Sequence, residues 1–507
     1  MLAVQAADAD RLRAVLERFP ALHGRVVLLP AAHGCQRAEA WNLAIEAASG
    51  AFVGLLDPGD ALSPSALYEV ARTLERRSDC DVIYSDEDRI DALGLRHAPR
   101  FKPDWSPELL LSQNYIGRLA MMRSEALRLA GGFRSGFPGA EEWDLLLRLS
   151  RRGSGFVRVT ECLYHRGAQE PRPGPACEQA VVREHCEAVG LVGATVTSSF
   201  GGCRAVWPTR GRPLVSIVIP NRNAAAVLGQ CLRGLLRATR YPRREVVVVD
   251  NGSTEPDVLA LYEELARAQA ATIVPFDRPF NFSAACNAGA AAARGELLLF
   301  LNNDVEVIEP DWLEELVRWA QRPEVGVVGA KLLYPDGSIQ HAGVVFGLGL
   351  VGHLFAGGSE RTSGPFGSPA CYRNFLAVTG ACQMMRREVF DRIGGYDERF
   401  ILSFSDVVLC LMAWRFGYRV VYTPFARLIH HESYSRRRQD YQQDIELLAR
   451  CLAQWGFVED PYFHPALNAT SPVPALRAPF DPEPGQVVRD YLRRLLPDDR
   501  GRREAYA

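Results

Sequence analysis

Residues 287–304 read NAGAAAARGELLLFLNND, and residues 42–59 read NLAIEAASGAFVGLLDPG. The two stretches align without a gap. Asn42 falls on Asn287 and Gly50 on Gly295, and each copy then runs through an apolar strand into a short polar tip. At that tip the first copy has Asp57-Pro58-Gly59 where the second has Asn302-Asn303-Asp304. Glycine has no side chain, so Gly59 is unable to do what the Asp304 carboxylate can. A duplicated segment with one disarmed tip directs the search for chemistry to the second copy.

Further blocks repeat in the same order. Gly131-Gly132-Phe133 matches Gly394-Gly395-Tyr396, the EEWDL starting at Glu141 matches the SDVVL starting at Ser405, and Leu163-Tyr164-His165 matches Leu428-Ile429-His430. These blocks predict two units, 1–168 and 213–455. Between them, 169–212 reads as a linker with a short helix over 177–189, and 456–507 reads as an extension with a charged helix over 487–496. The second unit opens with VSIVIP (215–220), a helical stretch (225–238) and EVVVVD (245–250). That alternation predicts an α/β fold with a parallel sheet and crossover helices. The first half has no counterpart of VSIVIP and one early strand candidate, 25–30. An incomplete first copy is therefore expected, either decayed or with its start lying upstream.

At 507 residues the chain is too long for one ordinary domain. A net charge of −2 gives no electrostatic drive toward nucleic acid or anionic lipid. The longest apolar runs, such as LLLFL (297–301), fall far short of the ~20 residues of a membrane span. The N-terminus lacks a basic start followed by an apolar core, so no signal peptide is expected. Twelve cysteines without CxxC spacing predict reduced thiols, mostly buried, in a cytoplasmic protein.

Four polar constellations follow predicted strands, where open α/β sheets bind ligands. Asp250, with Asn251-Gly252-Ser253 after it, is placed to accept hydrogen bonds from a base or ribose; the same residues also read as a plain turn. Asn302-Asn303-Asp304 offers the hard oxygens that Mg²⁺ and Mn²⁺ prefer, or else a polar strand end. Asp406 precedes an apolar helical run, as a general base or as a helix cap. His430-His431 follows RVVY (419–422). Adjacent strand residues point opposite ways, so at most one histidine reaches a metal, and the repeat selects His430 through His165.

Six segments carry a joint resemblance: VSIVIPNRN (215–223), VVVVDNGST (246–254), NFSAACNAGAAAARGELLLFLNNDVEV (281–307), IQHAGVVFG (339–347), AVTGACQMMRREVFDRIGGYDERF (377–400) and GYRVVYTPFARLIHHESYSR (417–436). In this order they resemble glycosyltransferase family 2, inverting enzymes of the GT-A type. The likeness is nearest the bacterial rhamnosyltransferase-like group that builds O-antigen and other cell-surface polysaccharides. YSDEDRI (84–90) and FKPDWSPELLLSQNYIG (101–117) extend it into the first unit.

The resemblance implies tandem GT-A (nucleotide-diphospho-sugar transferase, Rossmann-like) domains, the N-terminal copy incomplete and non-catalytic. It implies a donor nucleotide at Pro220, Asn223, Asp250, Asn251, Ser253, Asn287, Asn302 and Asn303, and Mn²⁺ or Mg²⁺ on Asp304 and His430. Asp406 would be the catalytic base, with Gly380, Ala381 and Cys382 lining the acceptor side. The implied partners are a UDP-, GDP- or dTDP-linked sugar and a glycan or lipid-linked saccharide acceptor, with no nucleic acid. The implied location is cytoplasmic, free or peripheral at the inner face of the cytoplasmic membrane.

Departures from the family pattern are informative. Asn302 replaces the first acid of the DxD motif, and Ser405, Val408 and Met412 replace polar residues around the base. In the first unit Gly59 stands at the metal acid and Glu142 at the base. These changes motivate a competing reading, a catalytically impaired sugar-binding scaffold of a polysaccharide assembly machine. A sugar-1-phosphate nucleotidyltransferase would want a Gly-rich basic loop after the first strand, and a Rossmann dehydrogenase GxGxxG. Asn221-Arg222-Asn223-Ala224 is neither.

Overall fold

The computed structural model describes residues 2–22, 24–167, 174–431 and 442–496. The chain divides into two compact units, Met1–Trp207 and Pro208–Ala507.

The second unit is built on a ten-stranded sheet. Thr272–Pro275, Arg244–Asp250, Val215–Asn221 and Leu297–Leu301 lie side by side and parallel, as their helical crossovers require. Beyond them the expectation of parallel pairing fails. Cys382–Arg386 pairs antiparallel with both Leu297–Leu301 and Val325–Leu333, so the sheet is mixed. Val325–Leu333 then pairs parallel with the long strand Arg419–His430, whose end pairs with Val305–Val307. The expected strand 419–422 therefore continues to His430. Pro424 has no N–H to give a ladder, and the register jumps over it, from Gly329↔Tyr422 to Lys331↔Arg427.

The helix expected over 225–238 is α-helical from Ala225 to Arg233 and closes in a π-type turn, Gly234–Ala238. The run of small residues in NAGAAAA has a packing cause. Its helix, Phe282–Ala292, lies so close to the sheet that a β-carbon on Gly289 would come within 2.3 Å of the Val218 side chain.

The first unit repeats five strands of this plan. Its sheet order is Phe52–Val53, Ala120–Arg123, Val82–Ile90, Phe156–Arg166, Ala61–Leu62. That is the order, and the set of strand directions, of Leu297–Leu301, Cys382–Arg386, Val325–Leu333, Arg419–His430 and Val305–Val307. Register is kept as well: Phe52 pairs with Arg123 and Leu297 with Arg386. The early strand lies at Leu28–Ala31 and pairs in parallel with Leu2–Gln5 across helix Ala6–Glu17, a short βαβ that sequence reading missed.

The stretch read as a linker is largely structured. Helix Pro175–Ala188 packs on helix Glu141–Arg151 and on the hairpin Thr195–Ser199/Gly202–Val206, inside the first unit. The stretch read as an extension carries helix Pro484–Leu495, packed on Val344–Gly347, Gly349–His353 and helix Gln442–Trp455. Among the described residues no helix is long and apolar enough to cross a membrane.

Candidate active site

The tip after Leu297–Leu301 meets the end of Arg419–His430. Nε2 of His430 stands 3.0 Å from Asp304 Oδ1 and 3.2 Å from the Asn302 side-chain nitrogen. Its other nitrogen, Nδ1, lies 2.8 Å from Gln340 Oε1. An amide oxygen only accepts, so the Nδ1 proton is fixed and Nε2 of the neutral ring presents a lone pair. Two acceptor atoms 3.0 Å apart need a proton or a cation between them. Adjacent ligands of an octahedral ion with bonds of ~2.1 Å are themselves about 3.0 Å apart. Asp304 and His430 are both buried. Among the described residues no three His, Cys, Asp or Glu side chains gather around one point. The corner therefore supplies one carboxylate, one imidazole and the amide of Asn302, a set that suits an ion whose remaining ligands are phosphate and water.

Asp406 lines a cavity of about 170 Å³, which Asn302, His430, Gln340, Gly380 and Ala381 line as well. It sits in the first turn of helix Ser405–Arg415, where a carboxylate is favoured by the exposed helix amides. Its Oδ1 accepts from its neighbour Val407 N at 2.8 Å and its Oδ2 from Gly380 N at 2.6 Å. Each oxygen keeps a second lone pair. A β-carbon at 380 would approach that of Asp406 to 3.0 Å, which accounts for the glycine.

Residues expected on the donor side join a hydrogen-bonded chain. The Asn303 amide donates to Asn221 Oδ1 at 2.7 Å, the Asn221 amide to the Tyr262 hydroxyl at 2.8 Å, and Tyr262 to Asp250 Oδ1 at 3.1 Å. Burial, together with the Asp250 charge, pushes the Tyr262 phenol up and keeps it a donor. Ser253 binds Asp250 through its amide (3.1 Å) and its hydroxyl. Asn223 adopts φ +55°, a conformation asparagine tolerates, and accepts from the amides of Thr254 and Glu255. Pro220 lies on the strand behind, partly exposed.

Three expected site residues are employed elsewhere. Asn287 does not enter the cavity: its side chain clamps Tyr396, donating to the carbonyl at 2.9 Å and accepting from the amide at 2.9 Å. Asn42 clamps Phe133 in the same way, so this repeated asparagine is structural. The Asn251 amide ties down the carbonyls of Phe276 and Arg278. Cys382 is wholly buried in the sheet, where burial drives its thiol up, and Gly380 and Ala381 line the cavity without it. Sequence reading gave no role to Gln340, Asn221 or Tyr262. Gln340 had one available signal, its place in the quoted segment IQHAGVVFG; in the structure it is a buried polar residue of strand Ile339–His341. The His431 ring pairs with Glu306 at 3.0 Å, while its backbone amide donates to the Asp304 carbonyl at 3.0 Å; Glu432 and Ser433 lie outside the described residues.

The first unit holds a different arrangement. Strand register places Arg118 where the second unit has Ala381. Its buried guanidinium pairs with both Asp57 and Glu142, the counterparts of Asn302 and Asp406. Arg37 reaches Asp57 as well, at 3.3 Å. A fixed internal cation thus stands between the two acids.

A mixed sheet with parallel crossovers on one side and acid-bearing tips at strand ends is the α/β arrangement of GT-A transferases, here whole in the second unit and partial in the first. The chain belongs to glycosyl transferase family 2, whose model matches residues 2–129 and 216–394. It is 42% identical over its whole length to the O-antigen biosynthesis protein RfbC of Myxococcus xanthus, and spans 41% of that protein. It is 27% identical, over 42% of its length and 74% of the other's, to an N-acetylglucosaminyl-diphospho-decaprenol L-rhamnosyltransferase of Mycobacterium tuberculosis. A solved mannosyltransferase from Pyrobaculum calidifontis, in complex with GDP-Man and Mn²⁺, covers 49% of the chain and 65% of its own at 20% identity and a TM-score of 0.36.

Proposed function

We propose that the second unit transfers a sugar from a nucleotide-sugar donor to an acceptor hydroxyl, with inversion at the anomeric carbon and with a divalent cation, in the building of a cell-surface polysaccharide. The observation that carries this reading is the shared cavity: Asp406, Asn302 and His430 all line it. The Asp250–Tyr262–Asn221–Asn303 chain would orient the nucleoside. Asp304, His430 and Asn302 would hold Mn²⁺ or Mg²⁺, which when bound neutralises charge on the departing diphosphate.

Asp406 accepts the proton of the acceptor hydroxyl as that oxygen attacks the anomeric carbon. The new C–O bond forms on one face while the bond to the diphosphate oxygen breaks on the other, so a single displacement inverts the centre. The Gly380 amide, fixed on one carboxylate oxygen, sets the direction of the free lone pairs. In the first unit the Arg118 pairing and Gly59 favour a non-catalytic role. The names of the relatives support a saccharide acceptor, free or lipid-linked; the proposed place of reaction is the cytoplasm or the inner membrane face.

The test is release of nucleoside diphosphate from UDP-, GDP- and dTDP-sugars with and without Mn²⁺, alongside thermal shifts with the same ligands. Cation-dependent release from one donor class supports the reading. Tight binding of a donor with no turnover on any acceptor would favour the scaffold reading instead.

A further inference from the structure

We infer that Asp444 is a positioning residue that holds the loop carrying Asp406; this rests on the reading of Asp406 as the base. Asp444 lies in the first turn of helix Gln442–Trp455, wholly buried. Its carboxylate collects three consecutive backbone amides. Oδ1 accepts from Ile401 N at 3.0 Å, and Oδ2 from Leu402 N and Ser403 N, both at 2.9 Å. A turn of successive amides converging on an anion is a nest, here filled from within the chain.

The catalytic segment comes directly after the nest. Phe404 takes φ +65°, a conformation uncommon for a bulky residue, and one that persists only where the surroundings over-determine it. Two residues later comes Asp406. Leu402, Ser403, Phe404, Ser405 and Asp406 all line the cavity. The loop is also fixed from its other side, where Phe282 N donates to Ile401 O at 2.7 Å and the Ser283 hydroxyl to Phe400 O at 2.8 Å. Asp444 and helix Phe282–Ala292 thus grip the chain just before its left-handed residue. A carboxylate is required there because all three partners are donors. Asparagine keeps the size but turns one acceptor into a donor, so at least one amide faces an N–H.

The experiment compares the wild-type chain with Asp444→Asn by three readouts: hydrogen exchange of residues 399–406, Mn²⁺-dependent binding of UDP, GDP and dTDP, and the kcat and KM for nucleotide release from UDP-, GDP- and dTDP-hexoses. We expect loop exchange to accelerate at least ~10-fold, nucleotide affinity and donor KM to stay within ~3-fold, and kcat to fall ~10–100-fold, as misplacing a reacting group does. Unchanged exchange, or faster exchange with wild-type kcat, overturns the proposal. Loss of nucleotide binding in step with kcat also overturns it, because the role is then general to the fold. If Asp444→Asn does not fold, Asp444→Ser, which keeps an acceptor oxygen in a smaller volume, is held to the same criteria. A wild type that neither binds nor releases nucleotide overturns the reading of the site. Faster exchange in Asp444→Asn would in that case leave only a structural tether.

Discussion

Ala381→Arg tests whether the two units are the same site in two states. Ala381 is buried and lines the cavity; its first-unit counterpart, Arg118, pairs with Asp57 and Glu142. An arginine at 381 brings a fixed charge beside Asn302 and Asp406. At ~6 Å and an effective dielectric of ~20, repulsion between a guanidinium and a divalent ion is about 5.5 kcal/mol. Halving that for solvent leaves ~3 kcal/mol, or a loss of at least ~100-fold in cation-dependent nucleotide affinity. Ala381→Met adds bulk without charge and is expected to lose far less. The assay is calorimetric titration of the nucleoside diphosphate with Mn²⁺, with melting curves to verify folding. Wild-type affinity in folded Ala381→Arg, or equal losses in both variants, would refute the argument that charge at this position disarms the first unit.

Three further outcomes are expected. Asp406→Asn, which still accepts from Gly380, should fold and bind nucleotide but turn over at least ~100-fold more slowly; near-normal turnover would make Asp406 a helix cap only. Gln340→Leu removes the partner of His430 Nδ1 and should weaken cation affinity ~10–100-fold in Mn²⁺ titrations, and an unchanged value would exclude His430 as a ligand. In the first unit, burial alone would raise the Glu87 pKa, but Lys102, Arg100 and Arg166 outweigh it and hold the group at about 2. A depressed folded pKa means stabilisation complete above the ordinary carboxylate pKa of ~4.3 and lost as pH falls toward 2. Glu87→Gln should therefore melt lower at neutral pH and show a shallower acid slope, and an unaltered slope would contradict the assignment.

The duplication was legible because period and spacing survive in side chains that the fold needs: the Asn42 and Asn287 clamps, the strand tips, and the glycine turns they hold. For the same reason Asn287 was expected at the nucleotide, since a repeated asparagine in the helix before the polar tip reads the same whether it binds a nucleotide or a turn. Asp304, His430 and Asp406 were proposed from strand ends and a helix start, but that His430 stands beside Asp304 and lines one cavity with Asp406 depends on antiparallel pairings that no local pattern encodes. Gln340, Tyr262 and Asp444 act across 90, 12 and about 41–43 residues of chain, so no short motif joins them to their partners. Arg118 became meaningful only once strand register set it opposite Ala381.

The central claim is that Asp304 in the second unit anchors a cation-dependent donor site and that the first unit has none. The most direct measurement is Mn²⁺-dependent binding of UDP, GDP and dTDP to the wild type, Asp304→Ala and Asp57→Ala, each verified as folded. Asp304→Ala is predicted to abolish the cation-dependent part of binding while Asp57→Ala leaves it within ~3-fold of wild type. Retained binding in Asp304→Ala, or loss in Asp57→Ala, would contradict the claim.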